Sequence, residues 1–380
     1  MKITSVRATP LALPLEERLR WGAMTVGVKG GIVVQVETDE GLTGLGEAGF
    51  SAEYFSTVGP IINDQFAPLL VGKDPRDAAA LWQEMFLSTH MWGRRGVETY
   101  ALSGVDIALW DLLGKIAGMP LYQLLGAAKH RVRAYCAPSL KSRHETIKEA
   151  VHFVEDQGYT AIKLRVGWEA REALELVRGA RKAIGDDIEL MVDANEGYSR
   201  RAAVELAKAF EQLNVAFFEE PLKTHSLTQY IEEHSWLADR VDVPLAGGES
   251  LFTRFEYIDL MERRTFDVVQ PDCTSVGGIS EAKRVADLAS AWNLSCVPHI
   301  ACSSGTSIGL AAGLHLILAT VNTPLIEFDP YGGPGWEGLL VEPINQVDGY
   351  VEPLAGPGLG LELADDAFDR FAVEGRLTPV

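Results

Sequence analysis

Short apolar runs, each closing on a polar residue, recur from residue 131 to 329, and this rhythm constrains the chain most. The runs are RVRAYCA, AIKLRV, IELMVDAN, VAFFEEP, VPLAGGE, DVVQPD, LSCVPH and PLIEFD. From the second run onward the polar ends are Lys163, Asp193, Glu219, Glu249, Asp272, His299 and Glu327. They are separated by 30, 26, 30, 23, 27 and 28 residues. That interval is what one strand–loop–helix–loop unit needs, and eight such units close a parallel barrel. Stretches such as LMV, AFF and DVV suit strands buried on both faces. A doubly wound open sheet fits the alternation equally well, but it accounts less naturally for eight units.

Ahead of the barrel, KITSVRATPLAL and GIVVQVETD alternate like antiparallel strands, with a turn at Asp39-Glu40-Gly41. Leu102, Val105, Leu109, Leu112, Leu113 and Ile116 then recur at helical spacing, and Gly118 with Pro120 signals a stop. The expected organisation is an α+β capping unit over 1–125, a barrel over 126–350, and a segment over 351–380. That last segment either closes the barrel or returns to the cap.

Charge excludes some partners. The 380 residues hold 53 Asp and Glu against 34 Lys and Arg, a net charge of −19. Nucleic acid requires a basic patch, and an anionic membrane surface would repel this chain. No apolar stretch reaches membrane-spanning length, and the first residues lack the layout of a signal peptide. Cys136, Cys273, Cys296 and Cys302 show no C-x-x-C spacing and read as reduced thiols. A cytoplasmic protein is expected.

In a parallel barrel the strand ends open on one face, so the polar ends above, with Arg165, converge there. Asp193, Glu219 and Glu249 on successive strands would repel one another unless a cation lay between them. Oxygen-only ligation favours Mg²⁺ over zinc. The competing reading makes each acid a cap for the next helix, a role that suits Asp but poorly suits Glu. His299 is either a satisfied core histidine or a general base, and Asp272 one strand earlier would fix its tautomer. GLGEAG at 44–49 lies in a hairpin rather than opening a helix within a βαβ unit, which argues against a dinucleotide site there. Cys273 and Cys302 fall near the inferred site, and packing explains them sufficiently.

These residues match a family pattern. KLR at 163–165, VDAN, FEEP, GGES, QPD with VPH, and IEFD resemble the barrel motifs of the enolase superfamily, specifically its mandelate racemase subgroup. SGVDIALWDLLGK at 103–115 and GPGLG at 356–360 resemble its signatures outside the barrel. The resemblance implies a modified (β/α)₇β TIM barrel, of α/β class, under an N-terminal α+β capping domain. It also implies Mg²⁺ on Asp193, Glu219 and Glu249, and an acid/base pair of His299 and Asp272. Glu327 would bond the substrate carboxylate or its enediolate. Asn195 is an expected substrate contact, and Arg18, Arg20, Trp21 and Lys29 either contact an anionic substrate or are solvated. Glu47 and Phe50 are expected in a second pocket wall.

One position departs from the pattern. The racemases carry lysine where this chain has Arg165, and arginine is a poor proton acceptor. Racemisation needs a base on each face of the substrate, whereas dehydration does not. Lys163 is either an acid/base or a partner for the carboxylates. The expected activity is therefore Mg²⁺-dependent dehydration of a small anionic sugar acid, an aldonate or aldarate, to a 2-keto-3-deoxy acid. An epimerase or lactone cycloisomerase is the rival enzyme, and a non-catalytic sugar-acid-binding barrel the rival class. Family members are often dimers or octamers, so a homo-oligomer is expected.

Overall fold

The computed structural model describes residues 1–21, 24–49, 51–139, 141–167, 169–301, 305–329 and 338–373. Side chains are described outside residues 14–28 and 54. Three antiparallel strands, Ile3–Trp21, Met24–Thr38 and Thr43–Ala48, form the cap sheet in chain order. The Val97–Ala117 helix lies on it, ending at Gly118 in the left-handed conformation the stop signal called for. GLGEAG is glycine-rich because this helix comes so close. A Cβ on Gly44 would meet the Ala108 carbonyl at 2.1 Å, and one on Gly46 the Gly104 carbonyl at 2.0 Å.

All eight expected barrel strands form. Val132–Tyr135, Ala161–Arg165, Glu189–Asp193, Val215–Glu219, Leu245–Gly247, Val268–Val269, Ser295–Cys296 and Leu325–Glu327 follow one another with, among the described residues, seven intervening helices. Strands two to seven pair in order, and the eighth pairs in parallel with the first. A Cys136↔Ile162 bridge joins strand one to strand two. Between strands seven and eight, the Cys296 amide donates to the Asn322 carbonyl at 2.9 Å. The alternation of the strands then sorts their side chains. Tyr135, Ala161, Met191 and Phe217 from the first four strands meet Ala246, Val268 and Leu325 from the fifth, sixth and eighth, and Val297 just past the seventh, in one inner cluster. Their neighbours Ile162, Leu190, Val192, Phe218, Val269 and Ile326 belong to the outer core beneath the helices. The inner cluster is the apolar floor on which the site stands.

The C-terminal segment returns to the cap. Gly358 exchanges backbone hydrogen bonds with Met119 and Leu121, and Val373 donates to the Pro10 carbonyl. Asp111, at the centre of this junction, accepts from the amides of both Leu45 and Leu359.

Two further buried acids tie the cap to barrel helices. Glu47 accepts from the Thr306 amide at 2.8 Å, the Thr306 hydroxyl at 2.6 Å and the Gly309 amide at 2.7 Å, at the start of the Ser307–Leu318 helix. Asp106 accepts from the Ser280 amide and hydroxyl in the first turn of Gly278–Ala291. Burial pushes both carboxyls up to about 7, against hydrogen bonds that favour the charged form. A raised folded-state value means the folded chain binds more protons than the unfolded one between about pH 4 and 7. The stability it confers is complete at the acid end and lost as pH rises toward 7. Glu47→Gln and Asp106→Asn are each expected to flatten this decline in urea midpoints measured from pH 5 to 8. An unchanged slope would show that neither acid titrates there.

Candidate active site

Strand register sets the acids side by side. Arg165 pairs with Asp193, Asp193 with Glu219, and Glu219 with Ala246, three residues before Glu249. Period two places Lys163, Asp193, Glu219, His299 and Glu327 each two residues beyond a floor residue, pointing into the barrel mouth. The Lys163 ammonium, 1% exposed, donates to both Glu219 oxygens at 3.2 and 3.1 Å. It also lies 3.5 Å from Glu327 and 3.9 Å from Asp193. Arg165 reaches the other Glu327 oxygen at 3.4 Å, and the Tyr135 hydroxyl donates to Glu327 at 3.2 Å.

On another side of the mouth, His299 Nδ1 donates to Asp272 at 2.7 Å. The second Asp272 oxygen accepts from the Thr274 amide and hydroxyl, both at 2.6 Å, which locks the carboxylate. His299 Nε2 is left toward the mouth, 3.4 Å from Glu249. Burial pulls the imidazole down, but Glu249 and Asp272 together push it up to about 10. Burial disfavours the Lys163 charge too, yet Glu219 and Glu327 hold the ammonium well above its ordinary value. Lys163 is a counter-ion in this arrangement.

The donor set suits Mg²⁺ in charge and ligand type. Burial pushes Glu219 up to about 7 despite Lys163, with Asp193, Glu249 and Glu327 adding to the rise. A buried cluster carrying that much unbalanced negative charge calls for a further cation. Among the described residues no three His, Cys, Asp or Glu side chains converge closely enough to hold an ion as they stand. Both Glu219 oxygens are engaged by Lys163, and Glu249 is turned toward His299.

Several expected contacts fall elsewhere. Lys29 is not solvated, because it is buried and donates to Asp329 at 2.7 Å, just past strand eight. Cutting this buried pair with Lys29→Met is expected to cost about 3–5 kcal/mol in urea denaturation. Adding Asp329→Asn should recover part of that loss. Glu47 docks the Ser307–Leu318 helix through Thr306 and Gly309. Asn195 stands beside Asp193, giving it its backbone and side-chain N–H, while its buried oxygen has no partner among the described residues. Cys273 is buried, with its thiol pushed well above the ordinary range. The side chains of Arg18, Arg20 and Trp21, together with Phe50 and Cys302, lie outside the described residues. Tyr135 and Thr274, which bond Glu327 and Asp272, escaped the sequence reading.

Comparison with known proteins identifies the family. Residues 4–126 match the mandelate racemase/muconate lactonizing enzyme N-terminal domain, and residues 145–367 the enolase C-terminal domain-like family. The chain belongs to the enolase superfamily, in its mandelate racemase subgroup, and is an enzyme with the modified TIM barrel of that group. It is 33% identical over 347 residues to the arabinonate dehydratase of Saccharolobus solfataricus, covering 90% of each chain. It is also 33% identical over 384 residues to the D-galactarolactone cycloisomerase of Agrobacterium fabrum, covering 98% of this chain and 99% of the other. The solved structure of a racemase from Streptomyces coelicolor A3(2) with bound magnesium aligns with a TM-score of 0.86 and 27% identity. That alignment covers 98% of this chain and 100% of the other.

Proposed function

We propose that this enzyme is a Mg²⁺-dependent dehydratase that converts a sugar acid, an aldonate or aldarate, to a 2-keto-3-deoxy acid. The observation that carries the reading is the division of the mouth. An oriented imidazole stands on one side, and on another stand two cations, Lys163 and Arg165, that do not readily accept protons. Asp193, Glu219 and Glu249 would hold Mg²⁺, which supplies positive charge for the substrate carboxylate as it gains a second negative charge. His299 Nε2 takes the α-proton while Asp272 holds Nδ1 and stabilises the charged ring. The β-hydroxyl leaves as water with the proton that His299 has taken, and the resulting enol gives up its hydroxyl proton as it takes one at C3 to become the ketone. Against its burial, Lys163 and Arg165 hold Glu327 ionised, so that it accepts from a hydroxyl of the substrate.

The reading is tested by incubating the protein and Mg²⁺ with a panel of aldonates and aldarates, scored for 2-keto product and solvent deuterium. Absence of keto acid from every member would end it. The cycloisomerase relative supports a second reading, an isomerase. Exchange of the α-proton in D₂O without loss of water would favour that one.

A further inference from the structure

The sixth barrel strand contributes more than Asp272. Its floor residue is Val268, so strand alternation puts Gln270 in the layer that holds Lys163, Asp193, Glu219, His299 and Glu327 on the other strands. Its backbone is fixed by donation from the Gln270 amide to the Gly247 carbonyl at 3.0 Å. The side chain is 1% exposed. Both of its amide atoms, Oε1 and Nε2, lack a hydrogen-bond partner among the described residues, and no other described side chain leaves two such atoms unmet. Buried polar groups are normally satisfied, so an amide orphaned on both sides within a site needs an explanation. The layer's other polar side chains, Lys163, Asp193, Glu219, His299 and Glu327, are ionisable and serve charged atoms. A carboxamide is neutral, with one acceptor and one donor side by side, which matches a hydroxyl that donates and accepts at once. A carboxylate would satisfy Nε2 and be repelled by Oε1.

We infer that Gln270 is a substrate-recognition residue whose carboxamide both donates to and accepts from a hydroxyl of the sugar acid beyond its α-carbon. This rests on the sugar-acid reading above and adds to it the residue that reads the hydroxyl pattern. A site built to bond a hydroxyl discriminates against acids that lack it or carry it in the other configuration, because the amide is then left unpaired.

The test is Gln270→Met, which keeps volume and removes both polar atoms, with Gln270→Asn as a second variant that keeps the amide. D-galactonate, D-arabinonate and D-xylonate are the probes, with Mg²⁺ present. In the Met variant, kcat/KM for the preferred acid is expected to fall roughly 10- to 100-fold, mainly through KM. The other acids should lose less, so the preference among them narrows. The Tm of the free protein should hold or rise, since an unmet buried amide is gone, whereas a structural glutamine would lower it. Equal losses for all three acids, unchanged kinetics (a water-binding amide only), or a lowered Tm in both variants would overturn the inference. If the wild type turns over none of the acids, the dehydratase reading fails by itself. Recognition is then judged by the Tm rise each acid induces. A rise lost in Gln270→Met upholds it, and an equal rise, or none in the wild type, overturns it.

Discussion

His299→Asn is expected to lower turnover by about 10²- to 10⁴-fold, the usual worth of a positioned general base. Asparagine can still donate to Asp272, so the Asp272–Thr274 arrangement and the fold should survive, and Tm should stay near that of the wild type. Two readouts separate chemistry from binding. Solvent deuterium entering the α-position should fall together with product formation, while KM changes little. A variant that retained full turnover would remove His299 from the mechanism. The pH dependence carries a further sign. With Glu249 and Asp272 both charged beside it, the imidazole is held at about 10, and in that form it can give a proton but not accept one. Activity that depends on His299 as a base should therefore rise with pH. Engaging or removing the Glu249 charge, by Mg²⁺ or by Glu249→Gln, should move that rise to lower pH.

What the sequence revealed and what it concealed divide along a physical line. Lys163, Asp193, Glu219, His299 and Glu327 were legible because each closes an apolar run near the C-terminal end of its strand and the strand–helix unit repeats at a nearly constant interval. Asp272 was legible through the same rhythm, although it stands one step above the layer, and the structure explains its reach through Thr274. Arg165 was legible as a departure from a pattern. By contrast, the Lys29–Asp329 pair joins residues 300 positions apart, and Glu47 finds its donors about 260 positions away. No local periodicity marks such partners. A lysine in a cap strand looks solvated until the fold buries it. The return of the C-terminal segment to Met119, Leu121 and Pro10 is likewise a matter of backbone pairing that any sequence could supply. Tyr135 and Gln270 fall between these cases. Both lie in runs read correctly as strands, and their roles emerge only once the inward and outward faces are told apart.

Lys163→Met is the other substitution with a large expected effect, because it acts on charge that is already out of balance. The ammonium is the cation that lies against Glu219, Glu327 and Asp193 together. Removing it strands those carboxylates in a buried mouth, where an uncompensated charge costs about 3–5 kcal/mol. Glu219, already at about 7 with Lys163 present, should move higher without it. Since a raised carboxyl gives stability that is present in acid and lost as pH rises, the deficit relative to wild type should be largest near pH 8. It should shrink toward pH 5, where Glu219 is protonated in both proteins. Urea denaturation across that range measures it. Mg²⁺ supplies the missing charge if these acids can ligate it, so millimolar Mg²⁺ should restore part of the midpoint at pH 8 by mass action. The same Mg²⁺ should do little once Asp193→Asn and Glu249→Gln are added. A Lys163→Met protein as stable as wild type at pH 8 would mean that Lys163 is not the counter-ion of this cluster. One destabilised but indifferent to Mg²⁺ would mean that the cluster is an ion pair without being a metal site.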